Sequence, residues 1–96
     1  MPKYPKVDGR LNLCGEIFRE ARLQQHLSCE ELARRMRDYR IPMSRTAIYR
    51  IEKGTRRVLL DEVAILTRIL QLDPNAVQDS VVQRLEMAQR KKKNME

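Results

Sequence analysis

Ser44-Arg45-Thr46-Ala47-Ile48-Tyr49-Arg50-Ile51-Glu52-Lys53-Gly54 is the stretch whose reading decides the fold. Ser44 suits a helix N-cap, because its hydroxyl can accept from the free amides of a first turn. Gly54 suits the position just past a helix, where a positive φ is needed. A helix of roughly ten residues lies between them. At about 100° per residue, Ala47, Ile48 and Ile51 share one arc. Arg45, Thr46, Tyr49, Arg50 and Lys53 share the opposite arc. The first side must pack against something. The second carries three cations, a tyrosine and a threonine, but no acid. That face is suited to a polyanion, with side chains able to read base edges.

Composition agrees with such a partner. The chain has 96 residues, 20 Lys+Arg against 13 Asp+Glu, and a formal net charge of +7. This basic excess points to nucleic acid or an anionic membrane. A span of about 20 apolar residues would be needed to cross a bilayer, and no run approaches it. No signal-peptide h-region is evident. The expectation is therefore a cytoplasmic protein without membrane contact. Two cysteines do not make a disulfide framework. With aromatics at 4% and no Trp, the core must be aliphatic.

Outward from the central helix, helical patterns fill the chain. A first helix is expected from about Leu13 to His26, with Leu13, Ile17, Phe18 and Ala21 inward. Ser28-Cys29-Glu30-Glu31 reads as a capping box. It starts a second helix, from Cys29 to about Asp38, with Leu32, Ala33 and Met36 inward. Pro42 disfavours helix at Ile41. Tyr39–Met43 is therefore the connection, and Ile41 and Met43 can tuck onto the core. A fourth helix spans about Leu60–Gln71. Leu59, Val63, Leu66, Thr67 and Leu70 can face the core, while Ile65 and Ile69 project from nearly the other side. Asp73-Pro74 opens a fifth helix to about Arg90, striped by Val77, Val81, Leu85 and Ala88.

The flanks differ in character. Residues 1–10 contain two prolines, a glycine and three basic residues, and read as an extended, flexible basic arm. Residues 11–72 form the DNA-binding unit, 73–90 a C-terminal helix for dimerisation or packing, and 91–96 a disordered basic tail. The fold class expected is all-α, a compact bundle of five helices.

Two short helices joined by a turn, the second basic and exposed, meet the needs of a helix-turn-helix. From Ile17 to Leu72 the chain resembles the lambda repressor/Cro-type (XRE-family) helix-turn-helix domain. The residues carrying the resemblance are Ile17, Ala21-Arg22, Leu27-Ser28, Glu30-Glu31-Leu32-Ala33, Met43-Ser44, Thr46-Ala47-Ile48, Ile51-Glu52, Gly54, Val63, Leu66 and Leu70. It implies a lambda-repressor-like fold and double-stranded DNA as the partner. It also implies an inter-helix salt bridge between Arg22 and Glu52. Arg45, Thr46, Tyr49 and Arg50 match base-reading positions. Lys53, Thr55, Arg56 and Arg57 match a phosphate-binding loop, Ser44 lies at the same surface, and the amide of Cys29 matches a phosphate contact. The turn departs from the family pattern, because Tyr39–Met43 is long and lacks the usual glycine. Leu59 stands where a capping Ser or Thr is common.

Ile65, Ile69, Val77, Val81 and Leu85 form a candidate surface for a homodimer or another protein partner. The alternative is that helix five folds back and hides these residues. The expected role is a transcriptional regulator, a repressor, reading a palindromic operator as a two-fold dimer. An antitoxin- or immunity-type protein that also masks a partner is the rival reading. A non-specific nucleic-acid or membrane-surface module is a more distant one. No cofactor, metal site or catalytic residue is indicated. Cys14, His26 and Cys29 make a poor ligand set. Cys29, near a helix start, could instead be a thiol of lowered pKa. His26 is the one histidine, and no nucleophile with a base beside it is apparent.

Overall fold

The computed structural model describes residues 6–94, with side chains for residues 6–92. Among these the chain forms five helices: α1 (Gly15–Gln24), α2 (Cys29–Asp38), α3 (Arg45–Lys53), α4 (Leu60–Ile69) and α5 (Pro74–Asn94). α3 packs on α1 and α2, and α4 packs on α2. Phe18, Leu32, Met36, Ile48, Ile51, Leu66 and Leu70 are each fully buried where these helices meet. Burial of each such side chain contributes about 1.5–3 kcal/mol. The one aromatic in this set is Phe18, so the core is nearly all aliphatic, as the composition requires.

Helix starts follow the side-chain chemistry. The Ser28 hydroxyl accepts from the Glu31 amide at 3.0 Å, and the Glu31 carboxylate accepts from the Ser28 amide at 3.2 Å, completing the capping box. The Ser44 hydroxyl accepts from the Ala47 amide at 3.1 Å. α1 begins later than expected, because the Asn12 carbonyl oxygen takes the amides of Cys14 and Gly15 at 3.1 and 2.8 Å. Leu59 has no acceptor to offer α4. Its own amide instead donates to the Glu62 carboxylate at 2.9 Å, which is half of a capping box.

The helix ends share one device. His26, Arg40, Gly54 and Gln71 all have positive φ, between 56° and 78°. Each stands just past α1, α2, α3 or α4 respectively. In each case the next residue's amide reaches back to the helix: Leu27 to the Arg22 carbonyl, Ile41 to Met36, Thr55 to Arg50 and Leu72 to Thr67. This is the Schellman closure. The glycine missing between α2 and α3 is thus replaced by Arg40, held in the left-handed region. α1 stops at Gln24 rather than His26 for the same reason, and α4 at Ile69 rather than Gln71.

Several expectations need correction. The arm reading for residues 1–10 fails at its C-terminal part: Val7 and Arg10 pair backbone to backbone across a turn at Asp8-Gly9. The Leu11 amide then bonds the Gly54 carbonyl at 2.7 Å. The remainder of that reading, Met1–Pro5, lies outside the described residues. The disordered tail begins too early in the expectation, since α5 runs on to Asn94; Met95 and Glu96 lie outside the described residues. Leu59, expected to face the core, is 65% exposed, because as the N-cap residue it has extended backbone (φ −80°, ψ 153°) and falls outside the helical stripe. Ile65 and Ile69 do not form a free outer strip but pack, half-buried, against the core.

Arg22 and Glu52 meet between α1 and α3. The guanidinium donates from Nε to Oε2 at 2.7 Å and from Nη2 to Oε1 at 2.9 Å. Its Nη1 donates to the Leu27 carbonyl at 2.8 Å, so the pair also holds the α1–α2 turn. The side chains are only 11% and 4% exposed. The bond to Glu52 raises the Arg22 pKa above its ordinary value. Breaking such a pair from one side strands the other charge. Glu52→Ala is expected to lower stability by about 3 kcal/mol, as read from urea unfolding. An unchanged midpoint would mean that the pair does not hold the fold. His26→Gly should act oppositely, raising stability by about 1 kcal/mol in the same assay, because glycine carries no left-handed penalty.

Candidate nucleic-acid interface

The α3 sequence divides its residues between two environments. Ile48, Ile51 and Glu52 are buried, and Ala47 is half-buried. Arg45, Thr46, Tyr49, Arg50 and Lys53 are all exposed. The face expected to read bases therefore lies on the outside, and those residues are brought together there. Among the described residues, neither Arg45 nor Arg50 takes part in an ion pair. The Lys53 ammonium lies 5.5 Å from the centre of the Tyr49 ring, a cation–π arrangement that orders both side chains.

Arg45, Thr46 and Tyr49 also line an open hollow of about 280 Å³, whose far wall is Cys29. Cys29 is the first residue of α2, where amides lack intrahelical acceptors. An anion in the hollow would meet that helix start and the cationic face of α3 together. Ser44 sits at the edge of this surface. Its hydroxyl oxygen already serves the Ala47 amide, which leaves the hydroxyl proton to donate outward.

The loop after α3 is more tightly built than a solvated basic turn. The Thr55 amide and hydroxyl both bond the Arg50 carbonyl, at 3.0 and 3.3 Å. Arg56 grips Glu62 with both terminal nitrogens, at 2.8 and 2.9 Å, and also donates to the Arg57 carbonyl at 2.9 Å. Glu62 is 4% exposed. The Arg56 guanidinium holds its carboxyl below the usual carboxylate range, and the Arg56 pKa is raised in return. Arg56 thus has a structural partner that the spacing of the sequence did not announce. The signal was present in Glu62, three residues past Leu59, where a reaching carboxylate can cap a helix.

Asn12, Arg10, Glu16 and Arg84 also escaped the sequence reading. The Asn12 amide nitrogen donates to the Ile51 carbonyl at 3.0 Å and to the Arg56 carbonyl at 2.8 Å. Glu16 accepts from Arg10 and, at 2.9 Å, from Arg84 of α5. Hydrogen bonding from Arg84, with the charge of Arg10, holds its pKa below the ordinary value. Apart from the Asn12 cap at the start of α1 and the Arg10–Glu16 pair, these contacts are long-range in sequence, and periodicity does not mark them.

The surface proposed for a partner is reduced. Val77 is 5% exposed and belongs to the core, while Val81, Ile65 and Ile69 are half-buried against it. Of the five residues only Leu85 is exposed, joined by Val82 and Met87. The thiols are not activated. Burial pushes Cys14 up to about 11, and burial together with Glu52 raises Cys29, opposite to the lowered value considered for it. Among the described residues, no group of three or more His, Cys, Asp and Glu converges on a point. No helix among them is long and apolar enough to cross a membrane.

No significant match is found among curated proteins or among solved structures. The model of the helix-turn-helix domain family matches residues 14–79. That interval contains α1 to α4, the turn between α2 and α3, the Arg22–Glu52 pair and the first residues of α5. With two short helices at its centre and a cationic helix facing outward, the chain belongs to the helix-turn-helix domain family, a family of DNA-binding domains.

Proposed function

We propose that the protein is a sequence-specific regulator of transcription that lays α3 in the major groove of double-stranded DNA. The observation that carries this reading is the exposed face of α3: Arg45, Thr46, Tyr49, Arg50 and Lys53 stand together with no acid among them. A surface meant only for solvent commonly mixes charge signs. In the reading, Arg45 and Arg50 bond guanine O6 and N7, Thr46 meets a thymine methyl, and Tyr49 reads an adjoining base. Ser44, Lys53, Thr55, Arg56, Arg57 and the amide of Cys29 meet phosphates on either side. Occupying an operator blocks other proteins from it, so repression is the expected role.

A single α3 reads only a few base pairs. A two-fold dimer reads two half-sites separated by about one helical turn. α5 supports such a dimer because its second half leaves Val82 and Leu85 exposed, about 60° apart on one face of a helix continuous with the core. We place the contact there, rather than on Ile65 and Ile69, which the core already covers.

Selection of bound duplexes from a random pool should return a palindromic motif. Arg50→Ala should relax preference at one position per half-site, at a cost of about 1–3 kcal/mol. Equal weakening on every sequence would make Arg50 a phosphate contact only. Lys53→Ala should weaken all duplexes alike and flatten the salt slope by roughly 0.9; a changed motif would refute its assignment. Leu85→Asp should convert a dimer to a monomer in light scattering while circular dichroism stays helical. A wild-type protein that is monomeric both free and on its operator would remove the dimer.

A further inference from the structure

We propose that Asn12, which lies outside the matched interval, is a positioning residue for the DNA-binding surface. It fixes the end of α3 and the Thr55–Arg57 loop relative to α1. The proposal rests on the DNA-binding reading above, and adds to it a residue that never touches DNA.

The Asn12 side chain uses its full hydrogen-bonding capacity. The oxygen accepts from the amides of Cys14 and Gly15. The nitrogen donates to the carbonyls of Ile51 and Arg56. One carboxamide therefore closes the start of α1, the last turn of α3 and the loop beyond it. Its two acceptors on that loop side lie five residues apart and bracket Gly54. The distance across them is thus set by the two hydrogens of a single planar group.

Neighbouring contacts make this seat stiff. A Cβ on Gly15 would overlap the Ile51 carbonyl oxygen, so α1 and α3 meet there backbone to backbone. A Cβ on Gly54 would lie 2.8 Å from the Arg10 side chain. Leu11 adds its amide bond to the Gly54 carbonyl. The chain on either side of Asn12 is thereby pressed onto the end of α3. The loop itself is caught between Asn12 on one side and the Arg56–Glu62 pair on the other. Lys53, Thr55, Arg56 and Arg57 are carried by this framed segment. A phosphate contact weakens when its donor is misplaced by a fraction of an ångström, and ordering a loose loop on binding costs affinity.

The test uses two variants. Asn12→Ser keeps an oxygen that can cap α1 but is too short to supply both donors to α3 and the loop. Asn12→Asp keeps the oxygen and turns a second oxygen toward two carbonyls. Duplex affinity should fall in the order wild type, Asn12→Ser, Asn12→Asp, with the first step about fivefold to tenfold, the size expected for one net hydrogen bond. The ranking of operator variants should not change. In the free proteins, amide hydrogen exchange at Thr55, Arg56 and Arg57 should speed up, while that of α2 stays as in the wild type. Leu70→Val, a core change at the end of α4 farther from this loop, serves as the stability control. All affinities are compared at a temperature where each protein is folded by circular dichroism.

If Asn12→Ser binds DNA as tightly as Leu70→Val, the positioning role is refuted. It is also refuted if loop exchange is unchanged. Faster loop exchange in a protein whose wild type shows no sequence preference would keep the positioning and sink the regulatory reading instead.

Discussion

The carboxylate of Glu52 completes the buried face of α3 that Ile48 and Ile51 begin. It is the one acid on that helix, and it is turned inward to Arg22 rather than outward. A carboxylate so deeply buried is costly unless it is paired and hydrogen-bonded. Glu52 stands at the border of the buried arc of α3, next to Ile48 and Ile51, and pairing it inward lets that border close against α1. With this arc covered, Arg45, Thr46, Tyr49, Arg50 and Lys53 are left on the exposed arc. The same choice removes the one negative charge that would oppose a phosphate backbone. The pair thus ties the packing of α3 to its surface potential, and Arg22 extends it to the α1–α2 turn through the Leu27 carbonyl.

Glu62 repeats the arrangement one element later. It is also nearly buried, also held by an arginine fork, and also satisfies a helix-start amide. Its arginine comes from the loop that is expected to face DNA. Arg56 is therefore pulled two ways, and much of its charge is already balanced inside the protein. Arg56 thereby sets the loop's shape from within the protein. A loop held in this manner loses less freedom on binding, which favours affinity without adding a contact.

The parts of the molecule that sequence reveals well are those governed by local rules. Ser28 and Ser44 are caps because hydroxyls accept from first-turn amides, and both appear at the expected positions. The burial of Leu32, Met36, Ile48 and Ile51 follows from helical periodicity. Gly54 ends α3 because left-handed backbone favours glycine. The same rule concealed the other three endings, since His26, Arg40 and Gln71 take that conformation with side chains attached. A different mark was available: Leu27, Ile41 and Leu72 each follow directly and are apolar, as a Schellman closure favours. Asn12 is illegible for a stronger reason. Its oxygen caps α1 locally, but the acceptors of its nitrogen lie 39 and 44 residues away, and no local pattern encodes which distant carbonyls will be left open.

α5 shows where periodicity alone misleads. Val77, Val81, Leu85 and Ala88 read as one stripe, yet the body of the protein covers only its beginning. Val77 is in the core, Val81 is half-buried, and Leu85 is exposed. A stripe describes one face of a helix and says nothing about how far the neighbouring helices extend beneath it. Here the support ends near the point where Arg84 reaches Glu16 on α1. Glu16 receives Arg10 as well, so the place where α5 leaves the body is tied to the segment that leads into Asn12. Glu16, Arg10 and the backbone of Leu11–Gly15 thus form a continuous set of contacts between α5 and the end of α3.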